Sequence, residues 1–301
     1  MKLADLIEQA TRLKDSTVAV AAAEDKEVLE AVSMAVEQGI AKFLLFGDSE
    51  KIKEILGTVS STLLNHKAVT VLHADTVKEA AESAVKAVRN NEATALMKGN
   101  IATSVILKAV LNKEFGLRTG NALSHVAVFE IPGYDRLMVL TDAAMNIAPD
   151  LEQKVQIINN AVGVARGIGI ENPKVAPIAA VEVVNPAMQA TVDAALLTQM
   201  NRRGQIKGCV VDGPLALDNA VSLEAAEHKG IDSEAAGKAD ILLVPNIETG
   251  NSLYKSLIYF ARAKVGAVVA GAKAPVVLTS RADSAESKLY SLALAICTAS
   301  K

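Results

Sequence analysis

Two kinds of segment alternate along this chain, and the alternation limits the folds that it can adopt. Short apolar runs rich in Val and Ile, such as 17–23, 42–46 and 94–97, are bounded by Gly or polar residues. Between them lie Ala- and Glu-rich stretches with helical spacing, such as 25–38 and 76–90. Continuous apolar strands separated by amphipathic helices are typical of parallel sheets that helices cover on both faces. The pattern therefore predicts an α/β fold with parallel-rich sheets.

The same pattern continues along the rest of the sequence. Further apolar runs lie at 69–72, 137–140, 174–180, 208–211, 241–245, 266–270 and 275–279, and a further helical stretch lies at 150–166. A length of 301 residues suits one large or two modest domains. The Pro132-Gly133 pair is a turn signal, so we interpret the loop 131–135 as the main break between domains.

Composition narrows the class of function. Aromatic residues make up 3% of the chain and the net charge is -3, which disfavours nucleic-acid binding because that needs a positive field or stacking rings. No apolar run reaches the ~18–20 residues of a membrane span, and the acidic N-terminal segment is unlike a signal peptide. The two cysteines, Cys209 and Cys297, are too few for a disulfide framework. We expect a cytoplasmic protein that acts on small molecules and binds neither nucleic acid nor membrane.

One candidate loop follows the run that ends at Met97. Ligands of open parallel sheets bind outside the carboxyl ends of strands, where this loop must lie. Gly99 permits close backbone approach, while Lys98, Asn100 and Thr103 supply charge and donors for an anion at a helix N-terminus. The alternative is an ordinary strand–turn–helix junction in which Asn100 caps the helix and Lys98 is a solvated charge.

A second candidate loop follows the last apolar run, which ends at Ser280 and Arg281. An Arg between a buried strand and a helix can offer its guanidinium to phosphate in a bidentate fork. Asp283 and Glu286 have the spacing of a capping box, so the alternative role of these two carboxylates is structural.

Two more strand ends carry polar side chains that could face a ligand. These candidates are Asp142, Asn146, Asn246, Thr249, Gly250 and Asn251. Each loop can also be interpreted as an ordinary capped turn. Several such loops in one parallel-sheet chain favour a wide ligand-binding cleft over isolated turns.

Motifs of other enzyme classes are missing from the sequence. There is no Walker phosphate loop, and Gly167 and Gly169 lack the third glycine of a dinucleotide fingerprint because position 172 is Asn. There is no Gly-x-Ser-x-Gly elbow, and the four histidines do not cluster with cysteine at metal-ligand spacing. We therefore predict no metal site and no covalent nucleophile, with both cysteines inert and buried.

Several long segments resemble the phosphate acetyl/butyryltransferase family, and the resemblance covers essentially the whole chain. The segments that carry it are 112–120, 123–130, 168–177, 203–218, 239–251 and 274–284. They are more similar to the butyryl branch of the family than to the acetyl branch.

The resemblance implies a two-domain α/β/α fold related to isopropylmalate dehydrogenases, with the active site in the interdomain cleft. The first domain would then contain 1–130 plus 271–301 and the second 131–270. It implies the reversible reaction butanoyl-CoA + phosphate = butanoyl phosphate + CoA, by direct transfer in a ternary complex. It further implies a homodimer or higher homo-oligomer, small-molecule substrates and no tightly bound cofactor.

The resemblance also assigns roles to residues. Ser280 and Arg281 match a Ser-Arg pair that binds phosphate and stabilises the transition state. The acetyl branch places a catalytic Asp six residues after that Arg, where this chain has Ser287. This departure leaves open which residue deprotonates the CoA thiol, and we prefer Glu286 over Asp283 because Asp283 fits a helix cap better. The remaining candidates would bind phosphate or CoA, namely Lys98, Gly99, Asn100, Thr103, Ser124, Asp142, Asn146, Asn246, Thr249, Gly250 and Asn251.

Three alternatives stay open at this point. The same chemistry could act on acetyl or branched acyl groups. A non-catalytic protein that binds CoA or acyl phosphate is an alternative from another class. A dehydrogenase of the related fold is disfavoured, because neither a dinucleotide fingerprint nor a metal-binding acid cluster is visible.

Overall fold

A computed structural model describes residues 1–13, 15–279 and 283–299. Contacts between Cα atoms divide the chain into two compact units. The first unit contains 3–121 together with the residues from 266 onward, and the second contains 1–2 and 122–265. Compactness alone does not show independent folding, so the domain boundaries at 130 and 270, like the cleft between domains, stay predictions.

The secondary structure alternates strands and helices. The strands are β1 Thr17–Ala21, β2 Lys42–Gly47, β3 Val69–His73, β4 Ala95–Lys98, β5 Ser124–Glu130, β6 Leu137–Thr141, β7 Lys174–Pro177, β8 Val210–Val211, β9 Ile241–Leu243, β10 Lys264–Ala270 and β11 Val276–Val277. The α-helices are α1 Leu3–Arg12, α2 Lys26–Glu37, α3 Ser49–Val59, α4 Val77–Arg89, α5 Thr103–Val110, α6 Leu151–Gly167, α7 Gln189–Arg202, α8 Leu217–Val221, α9 Leu223–His228, α10 Ile247–Tyr259 and α11 Ala285–Ala299, with a 3-10 turn at Ser61–Asn65. The prediction of an α/β fold with parallel-rich sheets is confirmed.

The strands of the first unit lie in the order β3-β2-β1-β4-β11-β10. The neighbours from β3 to β11 are parallel, whereas β10 runs antiparallel to β11. In this register Ala21 lies opposite both Phe46 and Lys98. The carboxyl ends of β1, β2 and β4 therefore meet at one edge, and the loops that follow them are neighbours.

The second unit has the strand order β5-β6-β9-β7-β8. Strands β6, β9, β7 and β8 are parallel, and β5 pairs antiparallel with β6. The loop 131–135 is the connection between β5 and β6, two strands of one unit. Because β5 runs the opposite way, its first residue Ser124 lies at the edge where β6 and β9 end.

Three of the predicted helices begin at residues whose side chains cap them. Asp25, Thr76 and Asp150 cap α2, α4 and α6, and Asp150 forms a capping box with Gln153. Each such cap typically contributes about 1 kcal/mol. Among the described residues, no helix has both the length and the apolar character needed to cross a membrane.

Some predicted strand ends were wrong. The run 174–180 forms a strand only to Pro177. Beyond it, the Ile178 amide still donates to the Leu243 carbonyl over 2.8 Å, and Ile178 makes an isolated bridge to Leu215. The run 208–211 forms a strand only from Val210, since Gly208 has a φ of 74° and turns the chain. Apolar character therefore continues past the end of the regular strand.

Candidate active site

Lys98 ends β4 with its side chain inside the protein. The residue is 7% exposed, and its Nζ donates to the carbonyl of Gly99 over 3.3 Å. The alternative interpretation of Lys98 as a solvated surface charge is therefore wrong. A buried ammonium needs polar or anionic partners to offset its lost hydration, which suits a site that receives phosphate.

Gly99 and Asn100 are held against the end of β1. The amide of Gly99 donates to the Ala21 carbonyl over 2.8 Å, and that of Asn100 donates to the Ala22 carbonyl over 2.7 Å. A Cβ at residue 99 would lie 2.8 Å from the Ala21 oxygen and would overlap the Ala22 oxygen. Only glycine allows the two strand-end loops to approach so closely.

The helix after this loop begins without a side-chain cap. Ala102 is the N-cap residue of α5, so the alternative that Asn100 caps the helix is wrong because Asn100 lies two residues too early. Thr103 is exposed at the first helical position. The amides of Thr103 and Ser104 at the N-terminus of α5 therefore receive no side-chain cap, and the binding of an anion by them stays a prediction.

Ser280 and Arg281 lie outside the described residues. The parallel register pairs Val277 with Met97. Thr279, the last residue described before them, therefore comes to the edge at which Lys98 ends β4. The catalytic roles assigned to Ser280 and Arg281 stay predictions.

The start of α11 differs from the predicted capping box. The helix begins at Ala285, and the hydroxyl of Ser284 accepts from the Ser287 amide over 3.2 Å. Ser284 therefore occupies the capping position, and the pairing of Asp283 with Glu286 as a capping box is wrong. Glu286 lies in the first turn, where its Oε1 accepts from the Tyr290 hydroxyl over 2.8 Å.

Asp142 organises the site candidates of the second unit. It is 2% exposed, and its Oδ1 accepts from the amides of Ala144 and Met145 over 2.8 and 2.9 Å. Its Oδ2 accepts from the His125 amide over 3.2 Å and from Asn146 Nδ2 over 2.6 Å. An ionised carboxylate accepts about four hydrogen bonds, so the protein itself satisfies this one. Direct contact of Asp142 with substrate stays a prediction.

Asn146 and Ser124 lie beside this carboxylate. Asn146 Nδ2 also donates to the Leu123 carbonyl over 2.8 Å, which ties the loop after β6 to the start of β5. Ser124 is fully buried and accepts from Asn160 Nδ2 over 2.9 Å. Both side chains therefore hold the strand ends in place, and their contact with substrate stays a prediction.

The N-terminus of α10 packs on the loop after β6, which carries Asp142. Asn246 caps the helix, since its Oδ1 accepts from the Thr249 amide over 3.0 Å and from the Thr249 hydroxyl over 2.7 Å. A Cβ at Gly250 would lie 2.5 Å from the Asp142 carbonyl oxygen, so glycine is required for the close approach. Asn251 Nδ2 donates to the Ala143 carbonyl over 3.3 Å. The structure thus brings the seven candidates of the second unit together.

Sequence reasoning missed Glu24, which follows β1 at the edge where β4 ends. Its Oε2 is buried and accepts no hydrogen bond from the described residues. The signal was present, because Glu24 follows an apolar strand as the other candidates do. The adjacent Asp25 is a helix cap, which made this loop look like a simple helix start.

Electrostatic effects near Glu24 reach α3. The hydrogen bond and charge of Asp48, followed by the charge of Glu24, raise the pKa of Lys51 above its usual range.

Burial raises the pKa of the Cys209 thiol to about 11, which fits the prediction that this cysteine is unreactive. In the parts of the chain that the structure describes, no group of three or more His, Cys, Asp or Glu side chains could hold a metal ion.

Comparison with known proteins identifies close relatives along nearly the full chain. A protein of Bacillus subtilis described as a probable phosphate butyryltransferase is 61% identical over 99% of this chain and 98% of its own. A phosphate butyryltransferase of Clostridium beijerinckii is 52% identical over 99% of this chain and 97% of its own. A phosphate acetyltransferase of Thermotoga maritima is 49% identical over 98% of both chains.

A solved structure gives the same picture. The branched-chain phosphotransacylase of Enterococcus faecalis superimposes with a TM-score of 0.82 at 38% identity, covering 95% of this chain and 99% of that one. The relation to isopropylmalate dehydrogenases stays a prediction. The sequence family described as phosphate acetyl/butaryl transferase matches residues 58–296, which confirms the resemblance found in the sequence. The chain therefore belongs to the phosphate acetyl/butaryl transferase family.

Proposed function

We propose that this protein transfers a butanoyl group reversibly between CoA and inorganic phosphate, as butanoyl-CoA + phosphate = butanoyl phosphate + CoA. The observation that carries the proposal is the identity of 61% and 52% to two relatives described as butyryltransferases over 99% of this chain. The buried ammonium of Lys98, beside an uncapped helix N-terminus, supports an anionic substrate in the first unit.

The reaction joins two anionic partners, so charge must be offset where they meet. A phosphate oxygen attacks the thioester carbonyl carbon, a C–O bond forms, and the C–S bond breaks to release the CoA thiolate. We propose that Lys98, the α5 amides and Arg281 hold the phosphate, and that Ser280 stabilises the carbonyl oxygen as it gains charge. One such preorganised donor typically contributes ~10²–10³ in rate. Direct transfer in a ternary complex needs no nucleophile on the protein, and positioning supplies much of the acceleration.

The strand-end loops of the second unit support the proposal differently. Asn146 is hydrogen-bonded to Asp142, and Asn246 is hydrogen-bonded to Thr249 at the start of its own helix, so these side chains keep this edge rigid. A rigid edge orients exposed groups such as Thr249 and Asn251 with little loss of entropy on binding. We propose that these exposed side chains contact CoA.

The acyl group is the least constrained part of the proposal. The relative from Thermotoga maritima, at 49% identity, is described as an acetyltransferase. The test is to measure thiol release from acetyl-, butanoyl- and isobutanoyl-CoA with and without phosphate. The proposal expects phosphate-dependent release with the highest kcat/KM for butanoyl-CoA, and a higher value for acetyl-CoA would make the protein an acetyltransferase. Binding of CoA with no phosphate-dependent release from any of them would instead indicate a non-catalytic binding protein.

We further propose that the protein works in the cytoplasm as a homodimer or higher homo-oligomer, without a tightly bound cofactor. Neither cysteine forms a disulfide and both are buried, which suits a reducing compartment. Phe260 is 87% exposed beside the exposed Tyr259 at the end of α10, and adjacent exposed aromatic rings favour burial against another chain. Light scattering of the purified protein measures the oligomer, and a monomeric mass would contradict this part of the proposal.

A further inference from the structure

Glu24 holds a carboxylate oxygen inside the first unit. The Asp25 amide donates a hydrogen bond to the Ala23 carbonyl over 2.8 Å, which forms a tight turn with Glu24 at its centre. The turn directs the side chain to the end of β2, where Gly47 has a φ of 153° and a Cβ would overlap the Glu24 carboxylate. The absence of a side chain at Gly47 therefore leaves the space that the Glu24 carboxylate occupies.

The loop that carries Glu24 is strained. Ala22 has a φ of 54°, in the left-handed region that a non-glycine residue enters at a cost of roughly 1 kcal/mol or more. This conformation lets the Ala22 carbonyl accept from the Asn100 amide, so the strained residue joins the Glu24 loop to the Lys98–Asn100 loop. Strained backbone persists where the surrounding structure holds it and is concentrated at functional sites.

Other carboxylates near the strand ends already have partners. Asp25 accepts from the Val28 amide, and Asp48 accepts from two amides of α3 and pairs with Lys51 over 3.0 Å. Asp142 accepts four hydrogen bonds, and Glu286 accepts from Tyr290. Among the described residues at these edges, Glu24 is the carboxylate with a buried oxygen that accepts no hydrogen bond.

We propose that Glu24 is the base that takes the proton of the CoA thiol, an inference that rests on the proposed acyl transfer. When CoA reacts with acyl phosphate, the S–H bond breaks and the proton moves to the Glu24 carboxylate. The thiolate then attacks the acyl carbon and the C–S bond forms. The bond between the acyl carbon and the phosphate oxygen breaks, and its electron pair stays on phosphate. Solvent then carries the proton from the Glu24 carboxyl group to the released phosphate, which restores the carboxylate. In the opposite direction the proton that phosphate loses as it attacks reaches Glu24 through solvent, and Glu24 passes it to the departing thiolate. A carboxylate repels the phosphate anion, so a neutral thiol is the substrate group that suits this position.

The test replaces Glu24 by the neutral isostere Gln. Glu24→Gln is expected to lower kcat for the reaction of butanoyl phosphate with CoA by about 10²–10⁴-fold, the usual contribution of a general base. Glu27→Gln, an exposed carboxylate of α2 three residues away, is the matched control and should keep the wild-type rate. Binding of desulfo-CoA, which lacks the thiol, should be the same for wild type and Glu24→Gln in calorimetry.

Each other outcome overturns the assignment. If Glu24→Gln keeps a kcat near wild type while Glu286→Gln loses it, the base is Glu286. If desulfo-CoA binds more weakly in step with the loss of rate, Glu24 contacts another part of CoA. A lowered melting temperature together with an unchanged rate per folded molecule means that Glu24 only stabilises the loop. Wild-type protein without acyl transfer contradicts the proposed function itself, and the assignment falls with it.

Discussion

Asn146 donates to the buried Asp142 carboxylate over 2.6 Å, and the same amide nitrogen donates to the Leu123 carbonyl over 2.8 Å. One side chain therefore joins the loop after β6 to the start of β5. Asp142 also accepts hydrogen bonds from three backbone amides, so one carboxylate holds the loop after β6 and the start of β5 together.

Asp142→Asn should destabilise the protein by about 2–3 kcal/mol, the typical contribution of hydrogen bonds to a charged group. The new amide nitrogen would face donors that the carboxylate now accepts. Urea unfolding measures the change, with the exposed Glu171→Gln as the control. A loss below about 0.5 kcal/mol, the range of ordinary surface substitutions, would contradict this account of Asp142.

Gly99→Ala should cost about 1–3 kcal/mol and lower activity, because the methyl group would push the Lys98 loop away from the Ala22 carbonyl. Gly57→Ala is the matched control in the same unit. At Gly57 the new Cβ would meet only Leu64 at 4.0 Å, and alanine in α3 should stabilise by about 0.5–1 kcal/mol. Thermal unfolding and acyl-transfer rates of both variants check the prediction, and equal rates for the two would contradict it.

Lys154 of α6 and Asp193 of α7 form a buried ion pair at 2.5 Å. Asp193→Ala leaves the ammonium buried without its counter-charge, which typically costs about 3–5 kcal/mol. Glu8→Ala breaks the exposed pair with Arg12 and should cost no more than about 1 kcal/mol. Denaturant unfolding that shows similar losses for both variants would mean that Lys154 is hydrated in the folded protein.

Cys209 should make stability fall at high pH. Burial raises the pKa of its thiol to about 11, so the folded protein keeps this proton between pH 9 and 11 while the unfolded chain loses it. The unfolded state then binds fewer protons, and the free energy of unfolding decreases as pH rises through this window. Cys209→Ala should remove this decrease. Unfolding at pH 8 and pH 10.5 measures it, and an identical pH slope in both proteins would refute the buried thiol as its source.

The hydrophobic periods of the sequence were sufficient to predict the fold class and most elements. Strand β5 was not predicted, because its first two residues, Ser124 and His125, are polar yet buried. The Ser124 hydroxyl accepts from Asn160, 36 residues away in sequence, and the His125 ring packs edge-on against Tyr254, with 5.8 Å between the ring centroids. Only these tertiary contacts reveal why such residues can enter a buried strand.

For the candidate site, the sequence predicted where the residues lie, while their contact with substrate stays a prediction. The strand-end rule correctly selected residues that gather at the carboxyl edges, including Lys98 and Asn246. It could not separate side chains that face a ligand from those, such as Asp142, that the protein already satisfies. The same rule could have selected Glu24, but Asp25 made its loop look like a simple helix start. Only the structure shows that the buried Oε2 of Glu24 accepts no hydrogen bond from the described residues.

The most direct test of the central claim is the formation of butanoyl phosphate from butanoyl-CoA and phosphate, trapped as the hydroxamate while the released thiol is titrated. The account predicts equal amounts of hydroxamate and thiol, both dependent on phosphate. Thiol release that is independent of phosphate and yields no hydroxamate would show a thioesterase and would contradict the account.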